Sequence, residues 1–348
     1  MVDWSLAAQI ARFAAGNAPV PDLGPDLDGI VAQASAEVAS YTRLEAVGSV
    51  PPLELLARAE WAEANLSTLS SLLDPVGERL AGRLEAAGPL AGPLRGAAGA
   101  TIATEAGLVL GYMSQRVLGQ YELSLLQPEA PPRLLLVGPN LAKAVAEMDV
   151  DRDSFVAWVI FHEVTHVVQF GAVPWLRGYL GSLLEEFLAS VEVRIERGAA
   201  GGLPSLPDPA RIVAAFREGG LMALVQTSEQ RELMDRVQAA MAVVEGYSEH
   251  VMDAVGARVL SDHERLRDAM DRRRSSRSAP ERALQRLLGL DLKMRQYELG
   301  KRFCDAVVDG HGLARLNRVW SAPAKLPTLS ELERPEAWVT RTDRAAAA

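Results

Sequence analysis

Five histidines occur in the 348 residues, and two of them stand four apart in Phe161-His162-Glu163-Val164-Thr165-His166. On a helix, residues four apart share a face and lie roughly 6 Å from one another. His162 and His166 can then each offer one ring nitrogen to a single zinc ion at about 2.0–2.1 Å. Glu163, one residue on from His162, can reach a water held by that ion without ligating it, which is what a general base needs. The competing reading is a pair of core histidines satisfied by neighbours, with Glu163 paired to an arginine. The high cost of an unpaired charge on so apolar a helix counts against it.

Catalytic zinc usually has three protein ligands and one open position. An extended motif with Gly and then His downstream is absent, because Gln169 and Ala172 stand at those places. The third ligand is therefore expected to be a carboxylate or a distant histidine. Glu185 and Glu186 follow His166 by 19 and 20 residues, a spacing like that of thermolysin-like enzymes. Glu245 is the preferred ligand, with Glu186 and His250 as the other candidates. Glu245, Glu249 and Asp253 fall at i, i+4 and i+8 on one helix face, among Val243, Val244, Val251 and Met252. Glu249 could then hold the free nitrogen of a ligand histidine, as zinc histidines require. Gly246 would let this helix come close to the metal.

These residues need elements to position them. From Phe155 to Phe170 almost every residue is apolar and Glu163 carries the only charge, so the pattern predicts a buried helix, with Asp151 or Asp153 able to cap its start. Leu134–Val137, between Pro132 and Gly138-Pro139, is the best strand candidate. It could run beside the motif helix and offer backbone groups to an extended peptide. The remaining pattern predicts helices over 4–15 and 28–47. A third starts at Pro51-Pro52 and runs towards Leu73, and another follows to about residue 86. Further helices are expected over 97–121, 141–148 and 175–197, from Asp208, over 229–255, and from Pro280 towards Val308. Asp271–Ser278 reads as a solvated basic loop. The fold class is mainly α with a minimal β element. Residues 1–330 form one large domain, with possible halves 1–200 and 208–330 split at Gly201–Pro209. Residues 331–348 are expected to be a loosely held tail.

The totals bound the function. A net charge of −9 and a pI near 5.2 argue against nucleic acid, which asks for a basic face. The 49% hydrophobic content allows a sizeable core. Cys304 is the single cysteine, so an intrachain disulfide and a cysteine-based zinc site are both excluded, and it reads as a small buried hydrophobe. Met1-Val2-Asp3-Trp4 shows no signal-peptide pattern, and the apolar stretch 97–112 is broken by Glu105. A cytoplasmic protein with no membrane partner is expected.

Several segments together are similar to a known family. They are Val2-Asp3-Trp4, Glu60-Trp61-Ala62-Glu63-Ala64-Asn65, Ser114 to Tyr121, Leu136-Val137-Gly138-Pro139-Asn140, Phe161 to Phe170 with Ala172 to Leu176, Glu245-Gly246-Tyr247 and Val251-Met252-Asp253. The chain resembles the zincin-like metallopeptidase family of actinobacteria and relatives, whose members are described as zinc-dependent metalloproteases or hydrolases. One branch is associated with biosynthesis of a deazaflavin coenzyme. The resemblance implies a mostly helical zincin-like fold and a metallohydrolase site, with no settled substrate. Many members carry a His where this chain has Tyr247, which leaves Tyr247 as a candidate donor to a developing oxyanion. His250 and His311 are lesser candidates for that role, and His263, in a charged stretch, is expected at the surface.

The expected reaction is hydrolysis of an amide in a peptide or small molecule. His162, His166 and Glu245 hold Zn2+, and Glu163 takes a proton from the attacking water and delivers it to the leaving amine. Two rival readings are a zinc hydrolase of a small non-peptide metabolite and a zinc-stabilised helical scaffold without turnover.

Overall fold

The computed structural model describes residues 2–24, 26–84, 91–127, 129–190, 227–275 and 290–347. Their helices are α1 (Trp4–Ala15), α2 (Leu27–Thr42), α3 (Arg58–Leu84), α4 (Ala91–Ser114), α5 (Gly138–Met148), α6 (Arg152–Ala172), α7 (Pro174–Ser190), α8 (Ser228–Val259), α9 (His263–Ser275), α10 (Leu290–His311) and α11 (Pro335–Ala347). Short helical turns join α10 to α11. The strands are β1 (Leu53–Leu56), β2 (Gly119–Glu122) and β3 (Arg133–Val137).

The expected strand at Leu134–Val137 is present, but it is the central one. The sheet order is β1-β3-β2, with β1 parallel and β2 antiparallel to β3. The unbroken Leu-Leu-Leu-Val run fits a strand covered on both faces. Leu134 and Leu136 join the core around α6, while Leu135 and Val137 join a second core with Ala7, Trp61, Ala103 and Leu110 of α1, α3 and α4. Because β3 is paired along both edges, its backbone is not open to a substrate. The edge strand that packs on α6 is β2.

Two strands fall where helix was expected. Leu53–Leu56 follows Pro51-Pro52 as β1, and α3 starts only at Arg58. The expected helix over 97–121 stops at Ser114, and Gly119–Glu122 pairs with β3 instead. In both places, cross-strand pairing with a buried neighbour outweighs local helical preference. The Trp61–Asn65 segment has a structural task here. Trp61 Nε1 and Asn65 Nδ2 both donate to Gln120 Oε1, at 2.6 and 3.3 Å, tying β2 to α3.

The motif helix α6 runs through the larger core. Its N-cap is Asp151, whose carboxylate accepts from the Ser154 amide at 2.8 Å. This hydrogen bond holds the Asp151 carboxyl below the usual range. By length and composition α6 could cross a membrane, but 72% of its most apolar window is buried inside the protein. It packs between α2 and α8.

Six further expectations need correction or fall outside the described residues. The tail is not loose: α11 places Trp338 fully buried in the main core, with its Nε1 donating to Lys325 O at 2.7 Å. A Trp can hold a short terminal segment because it buries so much apolar area. Asp271–Ser275 forms the last turn of α9, whereas 276–278 lie outside the described residues. The helix from Asp208, the Gly201–Pro209 boundary and the start at Pro280 also lie outside them. Gly246 serves a helix crossing. A Cβ there would overlap the Gly300 carbonyl carbon and come within 2.5 Å of the Lys301 amide nitrogen, so its bare backbone admits α10 against α8.

Candidate metal centre

Helices α6 and α8 bring three side chains together. The ligand atoms of His162, His166 and Glu245 all lie within 4.8 Å of one another. Glu245 Oε2 is 3.6 Å from His166 Nε2 and 3.9 Å from His162 Nε2. The two rings meet edge to face, with centroids 5.0 Å apart. Ligands about 2.05 Å from a tetrahedral zinc would stand about 3.3 Å from each other, so the two Glu245 contacts would shorten by about 0.3 and about 0.6 Å on binding the ion. Two imidazoles and a carboxylate are borderline-soft nitrogen and hard oxygen donors, the mixture found in catalytic zinc sites. The residues fit the ion.

Solvent reaches this cluster from one side. Between Phe155 and Gln169, His162 is the residue that is not fully buried. His162 and Glu245 keep 21% and 23% of their side chains exposed, against 10% for His166. His162 and Glu245 are thus the solvent-reached members of the set, on the side from which a fourth ligand would come.

Glu163 sits beside the cluster and is buried. Desolvation pushes its carboxyl above the usual range, against the pull of His162, His166 and the backbone hydrogen bond it accepts. That bond comes from the Tyr121 amide of β2 to Glu163 Oε2 at 2.8 Å. The pleat explains it. Val137 N donates to Leu118 O, so the alternating antiparallel pattern turns the backbone groups of Gly119 and Tyr121 outwards from the sheet. Gly119 makes room for the same carboxylate. A Cβ there would stand 2.8 Å from Glu163 Cγ and 3.0 Å from both Glu163 Oε1 and Val159 Cγ1.

His166 is held from behind. Its Nδ1 lies 3.3 Å from Gln169 Oε1 and 3.1 Å from Ser248 Oγ. Burial alone would lower its pKa, but the charge and hydrogen bond of Glu245, then Glu163 and Gln169, raise it to about 9.

A family model described as zincin-like metallopeptidase matches residues 2–339. The chain belongs to the zincin-like metallopeptidase family. It is also similar to a crystal structure from Chloroflexus aurantiacus, an inferred hydrolase with a novel fold. The two chains are 31% identical, each is covered to 99%, and the TM-score is 0.74. No curated protein matches the chain. Family membership and this neighbour support a metal-dependent hydrolase with a mostly helical fold.

Other candidates lie elsewhere. Tyr247 is fully buried, and its hydroxyl donates to Asn317 Oδ1 at 2.9 Å with Trp320 edge-on to its ring. Burial raises its pKa strongly. Two residues on from Glu245, it points to a different side of α8 and is not placed to meet an oxyanion at the metal. Glu185 and Glu186 are exposed on α7 and do not join the cluster. The partners found on His166 Nδ1 are Gln169 and Ser248 rather than Glu249. His250 bridges Tyr41 Oη, at 2.8 Å, and Asp305, at 2.7 Å, tying α2 to α8 and α10. His311 pairs with Glu336 near the surface. His263 is buried against Gly256 and faces Asp253 at 3.6 Å, contrary to the surface position expected from its charged neighbours. Asp253 serves ion pairs with Lys301 and Arg267.

Four contributors escaped the sequence: Gly119, the Tyr121 amide, Ser248 and the role of Gln169. One signal was available for Gln169. An amide on an otherwise apolar helix, three residues after a candidate ligand, must find partners when buried.

Proposed function

We propose that this chain is a zinc metallopeptidase that hydrolyses an amide bond with Glu163 as general base. The observation that carries the reading is the convergence of His162, His166 and Glu245 to within 4.8 Å, with the Glu163 carboxylate buried alongside and tied to β2. Bound zinc would supply a Lewis acid that polarises the scissile carbonyl and lowers the pKa of a coordinated water to about 7.

The protein's own groups divide the remaining work. His162, His166 and Glu245 would hold the ion. Glu163 Oε1, the carboxylate oxygen not engaged by Tyr121, is free to take a proton from the attacking water and return it to the leaving nitrogen. The apolar walls of α6 limit the competing hydration of that carboxylate. The outer edge of β2 supports an extended substrate, because the Gly119 backbone groups and the Tyr121 carbonyl face away from β3, while the Tyr121 amide stays with Glu163. The partner is then a peptide or a small amide, the working compartment is the cytoplasm, and neither nucleic acid nor membrane takes part.

Metal analysis and a digest of a mixed library of peptides and small amides test this reading. Wild type should carry zinc and cleave members of the library. Glu163→Gln should keep the zinc and lose turnover by on the order of 10²- to 10⁴-fold. Full turnover in Glu163→Gln would remove Glu163 as base. Cleavage confined to small amides would favour the metabolite hydrolase, and bound zinc without cleavage would favour the scaffold.

A further inference from the structure

Three buried groups behind His166 form a closed hydrogen-bond circuit that the proposed chemistry does not use directly. Gln169, on α6, is fully buried, and so is Ser248, on α8. Gln169 Nε2 donates to the Val244 carbonyl at 3.3 Å, and Ser248 Oγ donates to the same carbonyl at 3.2 Å. Each donor is thereby directed at a backbone oxygen that can only accept. What remains facing His166 Nδ1 is Gln169 Oε1 at 3.3 Å and the lone pairs of Ser248 Oγ at 3.1 Å.

For the neutral ring, the proton count then favours one tautomer. Rotating the Gln169 amide by half a turn would set its Oε1 against the Val244 oxygen, two acceptors face to face in a buried place. With the amide as found, a hydrogen on Nδ1 is the arrangement that satisfies both the ring nitrogen and Gln169 Oε1, because a carbonyl oxygen cannot donate one. In a neutral imidazole, a proton on Nδ1 leaves Nε2 as a bare lone pair. Nε2 is the atom 3.6 Å from Glu245 Oε2, in the cluster of ligand atoms. The opposite tautomer would turn an N–H toward Glu245 and close the ring to a metal.

We propose that Gln169 is a positioning residue that holds His166 as the Nδ1–H tautomer, with Ser248 as second acceptor and the Val244 carbonyl as the group that orients both. The inference rests on the metal-site reading and adds to it. The helix that supplies Glu245 also dictates, through its backbone, which nitrogen of His166 is available. One interhelical contact therefore sets the position of one ligand and the tautomer of another.

The test uses the full-length chain with 15N-labelled histidine, freed of metal and held at a pH where the 15N shifts themselves show the His166 ring to be neutral. Long-range 15N–1H correlation reports which ring nitrogen is protonated, and His166→Asn assigns the signal. Wild type should show Nδ1–H. Gln169→Leu should shift the ring towards Nε2–H, because the Ser248 hydroxyl is then free to donate. The same variant should bind Zn2+ about 10- to 100-fold more weakly in competition with a chromophoric chelator. A residue that only filled space would change thermal stability and leave the tautomer as it was. An Nε2–H ring in wild type overturns the proposal, as does a folded Gln169→Leu variant with wild-type zinc affinity. If Gln169→Leu fails to fold, the wild-type spectrum alone still decides. A wild-type protein that shows Nδ1–H yet takes up no zinc supports the clamp and removes the metal reading, so the two failures are distinct.

Discussion

Replacing Gly119 by Ala tests how the general base is held. The added Cβ would stand 2.8 Å from Glu163 Cγ, against an ordinary carbon–carbon contact of about 3.5 Å or more. It also presses at 3.0 Å on Glu163 Oε1 and on Val159 Cγ1, and both residues are buried in α6. Relief needs a shift of about 0.7 Å. If Glu163 moves, its 2.8 Å bond from the Tyr121 amide lengthens to about 3.5 Å and is lost. If β2 moves instead, the same bond breaks from the other side. Overpacking of this kind costs about 1–3 kcal/mol, and a misplacement approaching 1 Å lowers turnover by on the order of 10- to 100-fold. Zinc affinity should not change, because neither shift displaces His162, His166 or Glu245.

The assay is a double-mutant cycle read by thermal unfolding, with turnover and zinc competition on the same samples. In the Glu163→Ala background two of the three nearest contacts of the new methyl are removed, so most of the thermal penalty of Gly119→Ala should vanish. Equal penalties in the two backgrounds, or a Gly119→Ala variant with wild-type turnover, would refute the reasoning.

Two more predictions concern the metal-free site and the C-terminal helix. The folded-state pKa of His166 in the metal-free protein is raised to about 9 from 6.5. Its protonated form therefore stabilises the fold fully below pH 6.5, and this contribution is lost as pH rises towards 9. The apo melting temperature should fall over that window in wild type and less in His166→Asn, while zinc affinity rises because metal and proton compete for the ring. A pH-independent difference between the two proteins would count against this. Trp338→Ala should cost about 3–5 kcal/mol in chemical denaturation, since the indole is fully buried and bonded to Lys325 O. A loss below 1 kcal/mol would show that α11 is not part of the core.

How the site is built explains how much could be read in advance. His162, Glu163 and His166 are local: helical spacing alone sets their mutual geometry, so five consecutive residues suffice. Glu245 was reachable because an acidic face among Val243, Val244, Val251 and Met252 has few buried uses other than ligation or pairing. Gly246 reads from the sequence as a point of close approach, and the neighbour it admits is Gly300 on α10 rather than the metal. Tyr247 lies away from the metal atoms for a different reason. Sequence proximity to Glu245 says little about direction, and each successive residue of a helix turns about 100°. The strand Leu134–Val137 was legible from its breakers, whereas β1 and β2 were not. Short segments of four residues take their conformation from the strand they meet.

The linear chain by itself determined a buried helix bearing two imidazoles and a carboxylate, a predominantly helical fold and the lack of any cysteine framework. Those follow from periodicity and composition, which act over a few neighbouring residues. The fold in three dimensions decided that β2, rather than the more apolar β3, borders the site, that the Tyr121 amide steadies Glu163, and that Gln169 and Ser248 set the face His166 presents. Each of these joins groups 42 to 82 residues apart or depends on such a contact, and no local pattern encodes which distant donor will meet which acceptor once the cores have packed.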